Sequence, residues 1–312
     1  MKAKAPGKVV LSGAYAVLEG APAIVSAVSR YVVCDTERTP ERVTPEVRAA
    51  LPHGPFPGFD ASELRDGDQK LGLGSSAAIL VAALAAVRAS EHGDEASLRR
   101  AIEGPALRAH REAQGGGSGI DVAASTRGGT LIARRGAPDA LELDAVELPA
   151  GLCVEVWASG VSASTPELLR AVAAFRGEQP RQYEQLMSAL GAAATRAAAA
   201  THAGRAEALI AELSAQRELL SQLGDASRVP IITPEVRQLA GWAQPRGAAV
   251  LPSGAGGGDI VLWVGIEPSP PPFRDLAAGL RHRRIAVDLH ARGAFAFDGQ
   301  LSVLQTGVQR GS

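Results

Sequence analysis

Lys70-Leu71-Gly72-Leu73-Gly74-Ser75-Ser76-Ala77-Ala78 leads directly into an apolar segment at 79–87. Two glycines one residue apart let the backbone turn tightly, and the serine pair predicts a helix start, with the serines as N-cap and first-turn residues. The unpaired amides of a first helical turn, together with the helix dipole, attract anions. Because the residues that follow are apolar nearly all round, we expect a buried helix whose N-terminus forms a phosphate site.

The same stretch also satisfies the G-x-G-x-x-G/A pattern of dinucleotide-binding folds, at Gly72, Gly74 and Ala77. That pattern needs a hydrophobic strand before the first glycine, whereas residues 66–70 are polar. It also needs a second strand ending in an acid about 20 residues later, whereas 90–94 is a polar turn between two predicted helices. No G-K-[ST] ends the loop, so a Walker loop is excluded as well.

Composition excludes several functional classes. With 312 residues and a formal net charge of -1, the chain has no basic field for nucleic acid or for an anionic membrane. Cys34 and Cys153 are its only cysteines, which argues against a disulfide framework or a zinc site and favours the reducing cytoplasm. No cationic segment followed by an apolar run opens the sequence, and the longest uncharged run, 71–87, is too short for a bilayer. We expect a monomer or a homodimer.

The first half of the chain combines strands and helices. Strands are predicted at 8–11, 23–35 and 129–133, and helices after the serine pair and at 95–113. Residues 36–69, rich in proline and charge, are expected to form loop with short strand pieces, a candidate lid or nucleotide edge. A differently patterned half begins near 137–151, so the predicted units are a nucleotide-binding domain with the phosphate loop at 1–150 and a second domain at 151–312.

The second half alternates strands and helices. Thr165-Pro166-Glu167 is a strong helix start, with Thr165 as cap and proline at N1, and Thr233 starts another helix in the same way. Strands are predicted at 152–158, 248–251, 260–264 and 285–289, and helices at 166–176, 183–201, 205–223 and within 272–282. This order is β-α-β-β-α-β with extra helices, a ferredoxin-like plan.

Two further motifs lie far from the first along the chain. Ala5-Pro6-Gly7-Lys8-Val9 places a lysine at the start of a strand after a Pro-Gly turn. Pro252-Ser253-Gly254-Ala255-Gly256-Gly257-Gly258-Asp259 is a loop between two strands that is longer than a hairpin tip requires, and its glycines indicate close approach of the backbone to a ligand. In this order, the segments A-P-G-K-V, G-L-G-S-S-A-A and S-G-A-G-G-G-D resemble those of the GHMP kinases, which include galactokinase, homoserine kinase, mevalonate kinase and phosphomevalonate kinase.

The resemblance implies an α+β protein of two domains, an N-terminal ribosomal-S5-like α/β domain and a C-terminal ferredoxin-like domain. ATP, Mg²⁺ and a small-molecule acceptor are then expected between them. Further segments resemble the phosphomevalonate kinases of this family: Lys70 before the first glycine, Gly13-Ala14-Tyr15, His110 to Gln114 followed by Gly-Ser-Gly-Ile-Asp, and Trp157 with Ser162 to Pro166. Gly116 departs from the pattern, since eukaryotic members have lysine there. The implied reaction is phosphorylation of 5-phosphomevalonate by ATP; mevalonate kinase or another alcohol kinase of the family is the alternative.

The resemblance also implies roles for single residues. The ATP phosphates are expected on Gly72, Leu73, Gly74, Ser75, Ser76 and Ala77, and Mg²⁺ on Ser76 or alternatively on Ser75. Asp121 is expected to accept the proton of the acceptor, while Lys8 and Lys70 supply positive charge. Contacts to the acceptor are expected from Lys8, Ser118, Gly119, Asp121, Ser164, Gly256 and Gly257, with Arg127 and Thr165 as further candidates.

The second ligand of Mg²⁺ is left open. Mevalonate kinases place a glutamate eleven residues before the catalytic aspartate, and the same count back from Asp121 gives His110, a poor ligand for Mg²⁺. Either water and phosphate complete the coordination, or Glu112 or another acid substitutes. Structural interpretations also stay open, because Asp121 is suited to cap a helix and Lys70 to a solvated loop. A non-catalytic ligand-binding protein and a nicotinamide oxidoreductase are the competing classes.

Overall fold

The computed structural model describes residues 1–67, 69–136, 140–160 and 164–297. The first half of the chain contains β1 (Lys2–Ser12), β2 (Ala23–Asp35), α1 (Pro45–Ala50), β3 (Gly58–Asp60), β4 (Arg65–Asp66), β5 (Gln69–Lys70), α2 (Ser75–Arg88), α3 (Glu95–Gln114), α4 (Ile120–Arg127), β6 (Thr130–Arg135) and β7 (Leu141–Val146). The second half contains β8 (Cys153–Ala158), α5 (Thr165–Glu178), α6 (Pro180–His202), α7 (Ala206–Ser227), α8 (Pro234–Ala243), β9 (Ala249–Pro252), β10 (Ile260–Gly265), α9 (Pro271–Gly279), β11 (Arg283–Ile285) and β12 (Phe295–Phe297). Two larger antiparallel sheets carry most of these strands, and β4 and β5 form a separate hairpin.

The first sheet has the strand order β12-β1-β2-β6-β7, and β3 pairs with the end of β2. Strand β12, at one edge of this sheet, comes from the end of the described chain. It pairs with β1, and Phe297 lies opposite Lys2. The rings of Tyr31 and Phe295 meet edge to face, with their centroids 6.1 Å apart. Residues 295–297 therefore lie with the first sheet, which differs from the predicted second unit at 151–312. The division near residue 150 stays a prediction.

The second sheet has the strand order β11-β8-β10-β9, and all its neighbours are antiparallel. Helices α5 to α8 connect β8 to β9, and α9 connects β10 to β11. This arrangement confirms the predicted ferredoxin-like plan with extra helices. Three aromatic side chains, Trp157, Trp263 and Phe273, pack together on one face of this sheet and are almost fully buried. Trp157 is thus part of the core.

Helix α2 is the buried centre of the first half. All its residues from Ala77 to Ala86 are buried, and it packs against β1, β2, α3 and α4. Gly74, in the left-handed conformation, is its N-cap, so Ser75 and Ser76 are both first-turn residues. The prediction that the serine pair supplies the N-cap is therefore wrong, because a left-handed cap favours a residue without Cβ. A helix buried on all sides holds its first turn in a fixed position.

Other elements differ from the sequence prediction. Helix α1 lies within 36–69, where the sequence predicts loop and strand pieces, and it begins after Thr44, whose side chain accepts a hydrogen bond from the amide of Val47. Strand β7 occupies part of the predicted boundary at 137–151. Ser164, rather than Thr165, is the N-cap of α5. Ser162 and Ala163 of the segment matched near Trp157, and residues 298–312 of the predicted second unit, lie outside the described residues.

Candidate active site

The first turn of α2 has backbone amides without an acceptor inside the helix. Gly72 and Gly74 have φ angles of 73° and 77°, which L side chains rarely adopt. The first hydrogen bond of the helix runs from the amide of Ala78 to the carbonyl of Gly74. Within the described part of the chain, no side chain caps this turn. The three amides before Ala78 are therefore the groups that can bind an anion.

Lys8 lies against the same turn. Its amide donates to the carbonyl of Leu73 at 2.8 Å, which joins β1 to the glycine loop. Its aliphatic stem passes beside Gly74, where an added Cβ would lie 2.9 Å from Lys8 Cε. No ion pair of the described residues includes Lys8, which is half-buried. Its charge is therefore available to neutralise a phosphate at the head of α2.

Ser76, in the first turn of α2, is linked to side chains from two other helices. Gln114, the last residue of α3, donates from Nε2 to Ser76 Oγ at 3.2 Å and to Glu46 Oε1 at 3.3 Å. Glu46 belongs to the first turn of α1 and is only 7% exposed. A hydroxyl, an amide and a carboxylate therefore meet beside the open amides of α2.

Asp121 lies in the first turn of α4, directly after Ile120 and the left-handed N-cap Gly119. Its Oδ1 accepts a hydrogen bond from the amide of Val122 at 3.1 Å. Its Oδ2 is 3.6 Å from Nε2 of His110, a side chain that is 4% exposed. That nitrogen is buried and has no hydrogen-bond partner among the residues described. The arrangement places an imidazole nitrogen against the carboxylate that the sequence predicts as the base.

The contacts on α3 connect the two halves of this site. His110 and Gln114 are four residues apart and therefore lie on one face of the helix. Through them, Asp121 and Ser76 become neighbours, while Lys8 reaches the same turn of α2 from the sheet side. Ser118 precedes α4, and its Oγ accepts from the amide of Ile120 at 3.5 Å. The structure thus brings Lys8, Ser76 and Asp121 into one region, as the sequence predicts.

The glycine loop between β9 and β10 contacts the phosphate loop. An added Cβ on Gly72 would lie 2.7 Å from Asp259 Cβ, so the two loops touch at a point that has no room for a side chain. Tyr15 Oη donates to the carbonyl of Ala255 at 2.7 Å. Burial raises the pKa of Tyr15 far above its ordinary value, so its phenol remains a hydrogen-bond donor. The second loop is therefore held over the first.

Further contacts fix the position of that second loop. Ser253 Oγ accepts from the amide of Val10 at 2.8 Å, which joins the loop to β1. The carbonyl of Ile231 accepts from the amide of Gly257 at 3.0 Å. An added Cβ on Gly256 would lie 2.2 Å from that carbonyl oxygen. Gly256 and Gly257, the predicted acceptor contacts, are thus held in place by the carbonyl of Ile231. Their role at the acceptor stays a prediction.

Lys70 and Ser164, which are also predicted for the site, are both exposed. Lys70 is exposed on β5, opposite Arg65 of β4. Ser164 is exposed at the start of α5, where its side chain makes no capping hydrogen bond. Within the described ranges, no hydrogen bond or ion pair joins either residue to the cluster. Arg127 is at the other end of α4 from Asp121 and forms an ion pair with Glu103; its expected contact with an acceptor phosphate stays a prediction.

Comparisons with known proteins identify the family. Residues 42–129 match the family model of the GHMP kinases N terminal domain. A mevalonate kinase of Archaeoglobus fulgidus is 30% identical over 292 residues, which are 86% of this chain and 94% of that protein. The chain belongs to the GHMP kinase family.

Other proteins similar to this GHMP kinase are named phosphomevalonate kinase. A phosphomevalonate kinase of Streptomyces sp. is 28% identical over 327 residues, covering 82% of this chain and 87% of that protein. The solved structure of Streptococcus pneumoniae phosphomevalonate kinase in complex with phosphomevalonate and AMPPNP has a TM-score of 0.73 at 18% identity, covering 93% of this chain and 99% of that chain. The shared fold confirms the predicted α+β GHMP kinase architecture. None of the described helices is long and apolar enough to cross a membrane.

The sequence predicts no role for one acidic residue near the first turn of α2 in this GHMP kinase. Glu46 lies in the stretch that the sequence predicts as irregular. A signal was present, because Thr44-Pro45-Glu46 repeats the Thr-Pro-Glu pattern recognised as a helix start at Thr165 and Thr233. Recognising α1 there would have placed an acid in a first helical turn before the phosphate loop.

Proposed function

We propose that this GHMP kinase transfers the γ-phosphoryl group of ATP to (R)-5-phosphomevalonate, forming 5-diphosphomevalonate for isoprenoid synthesis. The observation that carries this choice of acceptor is the imidazole of His110, whose Nε2 lies 3.6 Å from Asp121 Oδ2. An imidazole carries no negative charge, so at this position it does not repel an anionic acceptor as a second carboxylate would. A phosphorylated acceptor benefits from that difference more than an alcohol does. The relatives named phosphomevalonate kinase support the same choice.

The reaction joins two anionic phosphates. An oxygen of the acceptor phosphate forms a bond to the γ-phosphorus, the bond from that phosphorus to the β–γ bridging oxygen breaks, and ADP leaves with the electron pair. The amides at the head of α2 and the ammonium group of Lys8 neutralise the phosphate oxygens. Because the acceptor phosphate is largely ionised near neutral pH, the reaction seldom requires Asp121 to accept a proton from it. Its main contribution is then to orient the acceptor.

The residues around Ser76 suit Mg²⁺, which prefers oxygen ligands in an octahedral arrangement. The hydroxyl of Ser76 and the carboxylate of Glu46 contact the same amide group of Gln114, at 3.2 and 3.3 Å. In the described ranges, no three His, Cys, Asp or Glu side chains converge, so a transition-metal site is not indicated here. When bound, Mg²⁺ supplies positive charge to the β- and γ-phosphates.

An ADP-release assay with purified protein, ATP and Mg²⁺ tests the proposal. The acceptors to compare are phosphomevalonate, mevalonate, homoserine and galactose. We expect turnover with phosphomevalonate and a kcat/KM at least about a hundredfold lower for the other three, because the site would then lack its anionic partner. Turnover of mevalonate but not of its phosphate would overturn this choice of acceptor. Binding of nucleotide without turnover of any acceptor would indicate a non-catalytic protein.

Mevalonate kinase is the second candidate, because the relative at 30% identity bears that name. The two candidates differ in what they ask of Asp121. An alcohol acceptor must lose a proton to the carboxylate, whereas a phosphate acceptor need not. Asp121→Asn should therefore nearly abolish an alcohol kinase but reduce a phosphate kinase more mildly, by about tenfold. Initial rates with each acceptor separate these outcomes.

A further inference from the structure

Glu46 is a buried carboxylate without a cation. The residue is 7% exposed, and no ion pair among the described residues includes it. Its recorded side-chain partner is the neutral amide of Gln114. Taking a carboxylate out of water is costly unless a positive charge compensates for it. The N-terminus of α1 provides only a small part of that compensation, because the dipole of a six-residue helix is weak.

This carboxylate lies next to the residue expected to hold the metal. Gln114 Nε2 contacts both Glu46 Oε1 and Ser76 Oγ, so a single amide group separates the carboxylate from the first turn of α2. Mevalonate kinases have a glutamate eleven residues before the catalytic aspartate. Counted back from Asp121, that position in this chain is His110. Glu112, the other acid considered from the sequence, is exposed. Glu46 is therefore the buried acid at the phosphate end of the site.

We propose that Glu46, from α1, is the carboxylate that binds Mg²⁺ together with Ser76. Gln114 is the side chain whose amide donates to both of them. The inference rests on the proposed function, since Mg²⁺ arrives with ATP. It also assigns a function to α1. This helix packs against α2 and α3 and lies in the otherwise largely irregular stretch before the Gly72–Ser76 loop. Metal binding by Glu46 then couples that stretch to the occupied nucleotide site.

The test uses Mn²⁺ as a paramagnetic replacement for Mg²⁺ and follows free Mn²⁺ by EPR while the chain of 312 residues, in excess over AMPPNP so that little nucleotide is free, is titrated with Mn²⁺. Glu46→Gln removes the charge and should weaken Mn²⁺ binding to the nucleotide complex about 10–100-fold. Glu46→Asp keeps the charge on a shorter side chain and should weaken it less. Glu112→Gln, the matched control, removes a charge from an exposed position near the same end of α3 and should leave Mn²⁺ affinity unchanged.

Thermal melting without metal separates a binding role from a structural one. Because Glu46→Gln removes an uncompensated buried charge, its Tm should equal or exceed that of the wild type. A lower Tm together with unchanged Mn²⁺ affinity would make Glu46 a structural residue and overturn the inference. Equal Mn²⁺ affinity in wild type and both Glu46 variants, or a loss in Glu112→Gln instead, would overturn it as well. Should Glu46→Gln not fold, Glu46→Asp alone decides the outcome.

The same titration distinguishes this inference from the proposed function. Wild-type protein that fails to bind AMPPNP in the presence of Mn²⁺ contradicts the kinase itself. Wild-type and Glu46→Gln proteins that bind Mn²⁺ and AMPPNP equally well would leave the kinase intact and remove only Glu46 from the metal site.

Discussion

Lys70 is the residue whose role the structure leaves most in need of a direct test. It is exposed on β5, two positions before Gly72, and no ion pair of the described residues includes it. If its ammonium group neutralises the transferred phosphate, Lys70→Ala should lower kcat by about 10²–10³-fold. Initial-rate kinetics measure this change. Lys2→Ala is the control, because Lys2 is partly exposed and pairs with Asp35; turnover of Lys70→Ala near that of the control would remove Lys70 from the mechanism.

His110 is expected to act through Asp121 rather than on the substrate itself. His110→Leu keeps a buried apolar side chain but removes the nitrogen that faces Asp121 Oδ2. We expect about a tenfold lower kcat/KM for the phosphorylated acceptor, equivalent to about 1.4 kcal/mol, mainly through KM. His110→Gln retains an N–H donor and should recover part of the loss. A Tm lowered equally in both variants, with no difference between them in KM, would instead indicate a packing role.

The residues of the site differ in how far the sequence could predict them. Lys8, Ser76 and Asp121 each belong to a short motif, and the local turn that such a motif encodes largely determines where its side chain lies. The structure brings these three together, although their catalytic roles stay predictions. Glu46 belongs to no such motif, because its position beside Ser76 depends on the packing of α1 against α3. Long-range contacts of this kind are not encoded by any local pattern.

At the scale of elements, the contact between the two glycine loops can be tested with a matched pair of glycines. Gly72 and Gly67 both have positive φ, 73° and 55°, but an added Cβ at Gly72 would lie 2.7 Å from Asp259 Cβ, whereas at Gly67 no atom of the described residues would lie within 4 Å. Both Ala variants carry the backbone strain, of about 1–3 kcal/mol. Only Gly72→Ala should also displace the loops and lower kcat/KM for ATP, by about tenfold. Calorimetry and initial rates with equal losses in both variants would contradict this.

Length and periodicity decide which elements could be predicted. Strand β2 matches its predicted bounds, and α3 extends only one residue beyond its prediction, because each presents several apolar positions at a regular period. Helix α1 has six residues and β12 has three, too few for either period to be visible. The cap of α5 shows a different limit, since Ser164 and Thr165 both suit an N-cap and only the backbone conformation distinguishes them.

For the molecule as a whole, the hydrogen bond from Tyr15 to Ala255 links the connection between β1 and β2 to the glycine loop between β9 and β10. Tyr15→Phe removes the hydroxyl and leaves the carbonyl without this donor, which should lower the free energy of unfolding by about 0.5–1.5 kcal/mol. It should also raise KM for ATP, because the glycine loop that contacts Gly72 loses this hydrogen bond. Tyr31→Phe is the control, since the Tyr31 hydroxyl donates to the carbonyl of Arg292, outside both loops. Urea denaturation and ATP kinetics in which the two variants behave alike would contradict the role of Tyr15.

The order of strands and helices was sufficient to predict the class of the second half, because a β-α-β-β-α-β succession leaves few compatible topologies. It was not sufficient to predict which residues of the two halves contact each other. Ser12 and Gly13 both donate to the buried side chain of Gln216, and such single contacts between distant residues leave no mark on local composition.

The return of the chain to the first sheet limits how this enzyme can be cut into pieces. Strand β12 covers the outer side of β1, pairing with it from Lys2 to Lys4. A recombinant fragment ending at residue 150 would therefore expose a row of backbone donors and acceptors along β1, and exposed edges of this kind recruit other chains. Such a fragment should aggregate on expression, and a synthetic peptide spanning residues 289–297 should suppress that aggregation by occupying the vacant edge.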